Sequence, residues 1–290
     1  MTENRINRRS FLQLTAAALT SAVAMQVGGW FYATKVEPGW LEITSLSLML
    51  PRLHPNFDNY RIVQLSDIHM ETWMDRDKLA EVVRRTNNLR ADAVVITGDF
   101  VTDIFHNTPA DLTDALRAIK ASDGVFAVMG NHDYWTDIRT VRVVLSQSGI
   151  VELQNRVYTI RRGEAQLHIC GVDDYWENQA RLRDVLAQLP PEGAAILLAH
   201  EPDFADISAQ SQRFDLQLSG HSHGGQVILP GVGPIVLPMY GRKYPVGLYQ
   251  IGKMYLYTNR GLGTARPQIR LNCRPEITMI TLHAPIAQPA

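Results

Sequence analysis

The feature that most constrains this 290-residue chain is a recurring unit: a short apolar run followed at once by a polar cluster rich in aspartate and histidine. Four clusters begin Ser66-Asp67-Ile68-His69, Gly98-Asp99, Gly130-Asn131-His132-Asp133 and Gly220-His221-Ser222-His223. A fifth is His200 alone, behind Ile196-Leu197-Leu198-Ala199, so five of the nine histidines fall in this pattern. In open α/β sheets, ligands gather beyond the carboxyl ends of strands, so clusters far apart in sequence can converge in space.

The runs Arg61–Leu65, Ala93–Thr97, Val125–Met129, Leu167–Cys170, Ile196–Ala199 and Leu216–Leu218 read as strands. Between them, Asp75–Arg90 places Leu79, Val82, Val83 and Leu89 near one helical face. Asp111–Ala121, Asp137–Ser148, Asn178–Leu189 and Asp203–Arg213 are further helix predictions. Alternation of this kind predicts an α/β fold. From Leu229 to Gly263 the chain turns rich in Gly, Pro and Tyr, and Tyr244–Tyr257 and Glu276–Leu282 read as strands joined by turns. The length suffices for a large core without disulfide or metal staples. Cys170 and Cys273 are too few for a disulfide framework or a cysteine-rich zinc site; they read as buried thiols, with one bridge between them the alternative in an oxidising compartment.

The polar clusters predict a binuclear metal site. Asp-x-His sets a carboxylate and an imidazole on one side of an extended segment, spaced to grip one ion. Two ions about 3.5–4 Å apart need a shared anion between them, and Asp99 is the natural bridge. The two rings of His221 and His223 can serve one ion or one each. With the amide oxygen of Asn131, the donor set suits two divalent ions of the Mn, Fe or Zn type and lacks soft thiolate. His54, His106, His168 and His283 fall outside the pattern and read as ordinary core or surface residues.

Arg5, Arg8 and Arg9 precede a stretch from Ser10 to Thr34 without any charge, the layout of an export signal. Gln13, Thr15, Thr20, Ser21 and Gln26 dilute its apolar character, so a cleaved signal, with Ala22-Val23-Ala24 as a small-x-small site, and a membrane anchor both fit. Asn7-Arg8-Arg9-Ser10-Phe11-Leu12 resembles the twin-arginine motif, which implies the twin-arginine translocase as a partner and export of an already folded, metal-loaded protein to the periplasm or cell envelope. Residues 1–35 are read as this leader with a linker, and 36–290 as one catalytic domain. Net charge is −1, which disfavours extended nucleic-acid binding.

The order D-x-H, G-D, G-N-H-[DE], H, G-H-x-H from Asp67 to His223 resembles the calcineurin-like metallophosphoesterases. Leu198-Ala199-His200-Glu201-Pro202-Asp203, Gly220 to Gln226, Arg260-Gly261-Leu262-Gly263 and Arg274-Pro275-Glu276-Ile277 are similar to its YkuE/YaeI-type branch. The resemblance implies a four-layer fold, a central β-sandwich flanked by helices. It implies one metal on Asp67, His69, Asp99 and His223, and the other on Asp99, Asn131, His200 and His221. His132 would then face the substrate as the catalytic residue. The protein phosphatase pattern Gly-Asp-x-x-Asp-Arg-Gly is absent, with Asp103 shifted and no Arg, which argues against a phosphoprotein substrate and leaves Asp103 a weak partner for His132.

The implied chemistry is hydrolytic displacement at phosphorus on a diester or monoester, with metals neutralising the phosphoryl oxygens and acidifying water. Two other readings stand beside it: a UDP-2,3-diacylglucosamine-type lipid pyrophosphatase, and a noncatalytic metal-binding module of the envelope. The apolar segment Leu229 to Tyr240, followed by Arg242 and Lys243, is expected to border the site; its side chains either simply pack the sandwich edge or form an apolar lip ending in two cations that would suit a lipid-linked phosphate and membrane contact.

Overall fold

Val94-Val95-Ile96 and Ile196-Leu197-Leu198 are buried along their whole length, as strands covered on both faces require. The computed structural model describes residues 7–71, 73–102 and 108–285. Among the described residues the long strands form two six-stranded sheets. The first runs, in spatial order, Glu42–Met49, Glu276–His283, Tyr60–Leu65, Ala93–Thr97, Gly124–Val128 and Val151–Glu152. The second runs Gly247–Ile251, Met254–Thr258, Leu216–Ser219, Ala194–Leu198, Ala165–Gly171 and Arg156–Arg162.

Successive side chains of a strand point to opposite faces, and this period of two builds the layers. Ile62, Val95 and Phe126 of the first sheet face Ile169, Ile196 and Leu218 of the second, forming the core of the sandwich. Their neighbours Val63, Val94 and Ala127 face outward, under Leu79, Val83, Leu116 and Val144 of the helices Arg76–Asn88, Pro109–Arg117 and Ile138–Gln147. On the other side Ala195 and Leu197 pack beneath Val185 and Leu189, at the Leu182–Gln188 helix. The result is the expected four-layer α/β arrangement. Tyr60–Leu65, Ala93–Thr97 and Gly124–Val128 are mutually parallel, as are Ala165–Gly171, Ala194–Leu198 and Leu216–Ser219. Each polar cluster therefore begins at the carboxyl end of one of these strands.

The Asp203–Arg213 helix does not form as one element. It breaks into a 3-10 turn Pro202–Phe204, a single helical turn Ala205–Ser208 and another 3-10 turn Ala209–Ser211. Asp203 accepts from the backbone of Lys243 (3.1 Å), and Ser211 Oγ donates to the carbonyl of Ser208, so local side-chain bonds compete with helix propagation. The Asn178–Leu189 prediction shrinks to Leu182–Gln188, because Asp174 and Asn155 hold the preceding turn: Glu177 N donates to Asp174, and Arg181 N to Asn155.

The Arg8–Phe31 helix has no buried residue, begins at Asn7, whose side chain accepts from Ser10 N (2.8 Å), and is long and apolar enough to cross a membrane by length and composition. Beyond it, Glu37 and Pro38 are buried. Cys273 N donates to Glu37 Oε1 (2.6 Å), and Arg270 N donates to the Ala33 carbonyl (2.9 Å). Cys170 and Cys273 are free and buried.

Arg270 is itself fully buried, and its guanidinium donates to the carbonyls of Arg260, Gly261, Gly263 and Cys273. Arg270→Leu strands these acceptors without donors, at about 1–3 kcal/mol for an orphaned buried group. We expect a stability loss of at least about 2 kcal/mol in urea denaturation. A loss within about 0.5 kcal/mol of zero, the range of an ordinary surface change, would contradict this role.

Candidate metal centre

The loops that leave the strands turn at once, and they do so through ligand residues as well as through Gly98. Asp67, His69, Asp99, His221 and His223 all lie in the left-handed region, with φ between 46 and 68°. Each such residue costs of order 1–3 kcal/mol, and such strain collects where function demands it. Interloop bonds offset it: Asp67 N donates to the Gly98 carbonyl, His69 N to that of Asp99, and Met70 N to that of Phe100. From the other side, Leu262 N donates to the Ser66 carbonyl and Gly263 N to that of Asp67. Glycine is required at Gly130 and Gly220, where a Cβ would overlap Asp99 Oδ1 and Ser66 Oγ respectively.

The eight residues named from sequence, Asp67, His69, Asp99, Asn131, His132, His200, His221 and His223, are brought together at this edge of the sandwich. Their donor atoms form overlapping groups: Asp67, His69 and His223; Asp99, His200 and His221; and His69, Asp99 and His132. Asp99 Oδ2 lies 3.5 Å from His69 Nε2 and 3.2 Å from His200 Nε2, so one carboxylate oxygen faces both of the first two groups. His223 Nε2 is 3.4 Å from Asp67 Oδ1. Asp103 and His106 lie outside the described residues. His168 bonds Thr159 Oγ1 and the Glu192 carbonyl, away from the site, while His54 and His283 sit near Asn56 and Asp58.

These groups fit a pair of divalent cations. A backbone carbonyl only accepts, so His200 Nδ1 donates to Thr97 (2.7 Å) and His221 Nε2 donates to Met239 (2.8 Å). With both rings neutral, as metal ligation requires, the lone pairs of His200 Nε2 and His221 Nδ1 face one another at 3.1 Å, an arrangement a cation between them would resolve. His69 Nε2 and His223 Nε2 also lie only 3.0 Å apart, and the Nδ1 atom of each ring is buried without a hydrogen-bond partner. Asn131 Oδ1 is buried without a hydrogen-bond partner. Burial lowers His69 to about 3, and burial with the nearby His200 lowers His221 to about 4, so both are neutral imidazoles ready to ligate. Burial pushes Asp67 up to about 6, with Asp99 adding to the rise. His200 differs: burial opposes its charge, yet Asp99, Asp67 and Glu201 hold it well above the ordinary imidazole range. The carboxylates draw onto His200 a positive charge of the kind that metal ions supply.

Asp133 has a part that the motif did not reveal. It is fully buried and accepts from the backbone of Asp99 (3.1 Å), Phe100 (2.8 Å), Val101 (3.3 Å) and Gly130 (3.0 Å). One carboxylate thereby ties the Asp99 loop to the start of the Asn131–Thr136 helix, whose His132 N donates to Asp99 Oδ1 (3.0 Å). The signal available in the sequence was its position three residues after Gly130, where an acidic side chain turns back on a helix N-terminus.

The centre opens into a cavity of about 460 Å³. Trp135 and Trp176 stand on one wall, and Val227, Ile235, Val236 and Ile269 on another. Glu201 fixes Trp176 by accepting its backbone N–H (2.9 Å). The apolar segment thus does border the site, but the two expected cations do not: Lys243 is held by Asp206 (2.7 Å), Arg242 N donates to Asp203, and Arg266 lines the cavity instead.

Asp133→Ala leaves four buried N–H groups unpaired. We expect a stability loss of about 2–4 kcal/mol and at least about a hundredfold loss of turnover, because the Asp99 loop and Asn131 would no longer be held in place at the centre. Denaturation and steady-state kinetics check this, and a variant with wild-type turnover would refute the positioning role.

Comparison with known proteins agrees with this geometry. The calcineurin-like phosphoesterase family model matches residues 60–225. The metallophosphoesterase YkuE of Bacillus subtilis is 34% identical over 284 residues, covering 96% of this chain and 98% of its own length. The phosphodiesterase YaeI of Escherichia coli is 31% identical, covering 96% of this chain and 99% of its own. The UDP-2,3-diacylglucosamine pyrophosphatase LpxG of Chlamydia trachomatis is 30% identical, covering 91% and 96%. With the series from Asp67 to His223 wholly inside the matched segment, the chain belongs to the calcineurin-like phosphoesterase family and is a binuclear, divalent-metal-dependent hydrolase of phosphoric esters.

Proposed function

We propose that this enzyme hydrolyses phosphodiesters bearing an apolar group, outside the cytoplasm and at a membrane. The observation that carries the reading is the juxtaposition of a compact double ligand cluster with a cavity whose other walls are aromatic and aliphatic. A substrate that fills it presents a charged phosphoryl group at one end and a hydrocarbon or ring at the other. The similarity to YaeI supports the diester, and LpxG supports a second reading, cleavage of a lipid-linked diphosphate. The noncatalytic module loses its ground in a family of hydrolases whose ligand set is intact here.

In this reading Asp67, His69, Asp99 and His223 hold one ion, and Asp99, Asn131, His200 and His221 hold the other. When bound, the ions supply charge neutralisation at the phosphoryl oxygens and acidify the attacking water. The remaining work belongs to side chains. Asp99 presents Oδ2 to both groups while the His132 backbone N–H occupies its Oδ1. His132 is half-buried on the cavity wall, its ring 4.8 Å from those of His69 and Trp135, placed to donate a proton to the departing alkoxide. Trp135 and Trp176, with rings 5.3 Å apart edge to face, offer the apolar part of the substrate an aromatic wall.

Residues 1–35 are proposed as a twin-arginine leader and 36–290 as the catalytic domain. An N-terminal helix of membrane-crossing length behind Arg8-Arg9 supports this assignment. Replacing both arginines by lysine is expected to retain the protein in the cytoplasm. Fractionation of the double variant showing undiminished export would point to another route.

Turnover of bis-p-nitrophenyl phosphate tests the activity: it should vanish on chelation and return with Mn. A reconstituted enzyme that releases UMP from a UDP-sugar lipid but leaves the diester intact would favour the second reading. His132→Ala should lose about 10²–10⁴ in rate, the range of general acid catalysis, while keeping both metals. Asp99→Ala should release at least one ion, since two cations then face each other without the shared anion. Metal analysis decides, and a metal-depleted His132→Ala or a fully loaded Asp99→Ala would overturn these roles.

A further inference from the structure

Between Gln226 and Arg242 the chain carries no charged residue, and much of this segment faces outward. Strands Ile228–Leu229 and Gly233–Pro234 pair antiparallel into a small hairpin with Val232 at its tip. Val232 is 76% exposed, Val236 73% and Ile235 55%, with Leu229 and Met239 also exposed. Five exposed apolar side chains gathered within eleven residues mark an interaction site.

Its occupant follows from what lies beside its root. Ile228 N donates to the Leu271 carbonyl, and the adjacent Arg270 N donates to the carbonyl of Ala33, just past the exposed Arg8–Phe31 helix. One short segment, residues 269–271, thus holds both the hairpin and the foot of the membrane-length helix. A groove lined by Met25, Trp30, Val227, Ile269 and Leu271 joins them, and Val227 and Ile269 also line the cavity of the metal centre. Trp30, 66% exposed at that foot, is the residue type that settles at a membrane interface.

We propose that the 228–239 hairpin and the foot of the helix form one bilayer-docking face that sets the mouth of the cavity at the level of lipid headgroups. The hairpin tip enters the acyl boundary, the helix continues through the membrane, and the cavity between them takes an amphiphilic phosphoester without its leaving the interface. The use made of this face rests on the phosphoesterase reading, whereas the docking itself does not.

The test uses the full chain reconstituted in phosphatidylethanolamine–phosphatidylglycerol vesicles. Val232→Cys and, separately, Leu229→Cys carry a nitroxide label; neither residue lines the cavity, and Cys170 and Cys273 are buried from the reagent. Val143→Cys, exposed on the Ile138–Gln147 helix that packs on the outer face of the first sheet, is the aqueous control. Power saturation is expected to show both hairpin labels more accessible to oxygen than to a water-soluble nickel complex, with the ratio inverted at residue 143. Labels as nickel-accessible as the control would overturn the proposal. Labels shielded from both quenchers would also overturn it, since that outcome marks a protein partner or a second copy. Hydrolysis of bis-p-nitrophenyl phosphate by the same labelled proteins reports the fold and the activity. Loss of that activity in the unsubstituted enzyme would sink the phosphoesterase reading while leaving the accessibility result to stand or fall alone.

Discussion

Everything at the functional edge of this protein depends on packing imidazole nitrogens and carboxylate oxygens tightly together in a buried site. His200 Nε2 and His221 Nδ1 face each other at 3.1 Å, His69 Nε2 and His223 Nε2 at 3.0 Å, and Asp99 Oδ2 looks toward both pairs. Two divalent cations, once bound, would be held by attraction to these same atoms. The scaffold must sustain the arrangement until they arrive. Asp133 does so with four backbone N–H donors, and Asp67 does so by accepting His221 N on both carboxylate oxygens.

The strain follows from the same demand. Asp67 and His69, and again His221 and His223, lie in the left-handed region, so both pairs reach the site from tight turns rather than from the extended segment their spacing suggested. The rigid parallel strands behind them and the Leu262-to-Gly263 segment zipped on in front share the cost. Polar ligands and apolar cavity walls also come from different parts of the chain. Strand ends supply the former, while the turns after His223 and around Ile269 supply the latter. One cavity can then combine phosphoryl chemistry with recognition of an apolar group.

How much was legible in the sequence tracks how each element is buried. Ala93–Thr97 and Ala194–Leu198 are continuous apolar runs because helices and the opposite sheet cover both faces, and they were readable almost to the residue. Glu42–Met49 and Arg156–Arg162 escaped because edge strands alternate exposed and half-buried positions and tolerate charge. Asp203–Arg213 carries helix-like spacing, but its helix yields to side-chain bonds made with residues around 243, which no local window contains.

The sequence by itself determined the chemistry: carboxylate and imidazole donors behind apolar strands, in an order and spacing that admit few uses other than a pair of hard-to-borderline metal ions. It also determined the layered α/β class, since periodicity is a local property. Only the tertiary structure decided which nitrogen of His200 and His221 is free, because the carbonyls of Thr97 and Met239 that settle the tautomers are 103 and 18 residues away. It likewise decided that Arg266, not Arg242 or Lys243, is the cation at the cavity, and that Asp133 braces the Asp99 loop. Those are facts of contact between distant segments, and contact is set by how the two sheets stack rather than by any pattern along one strand.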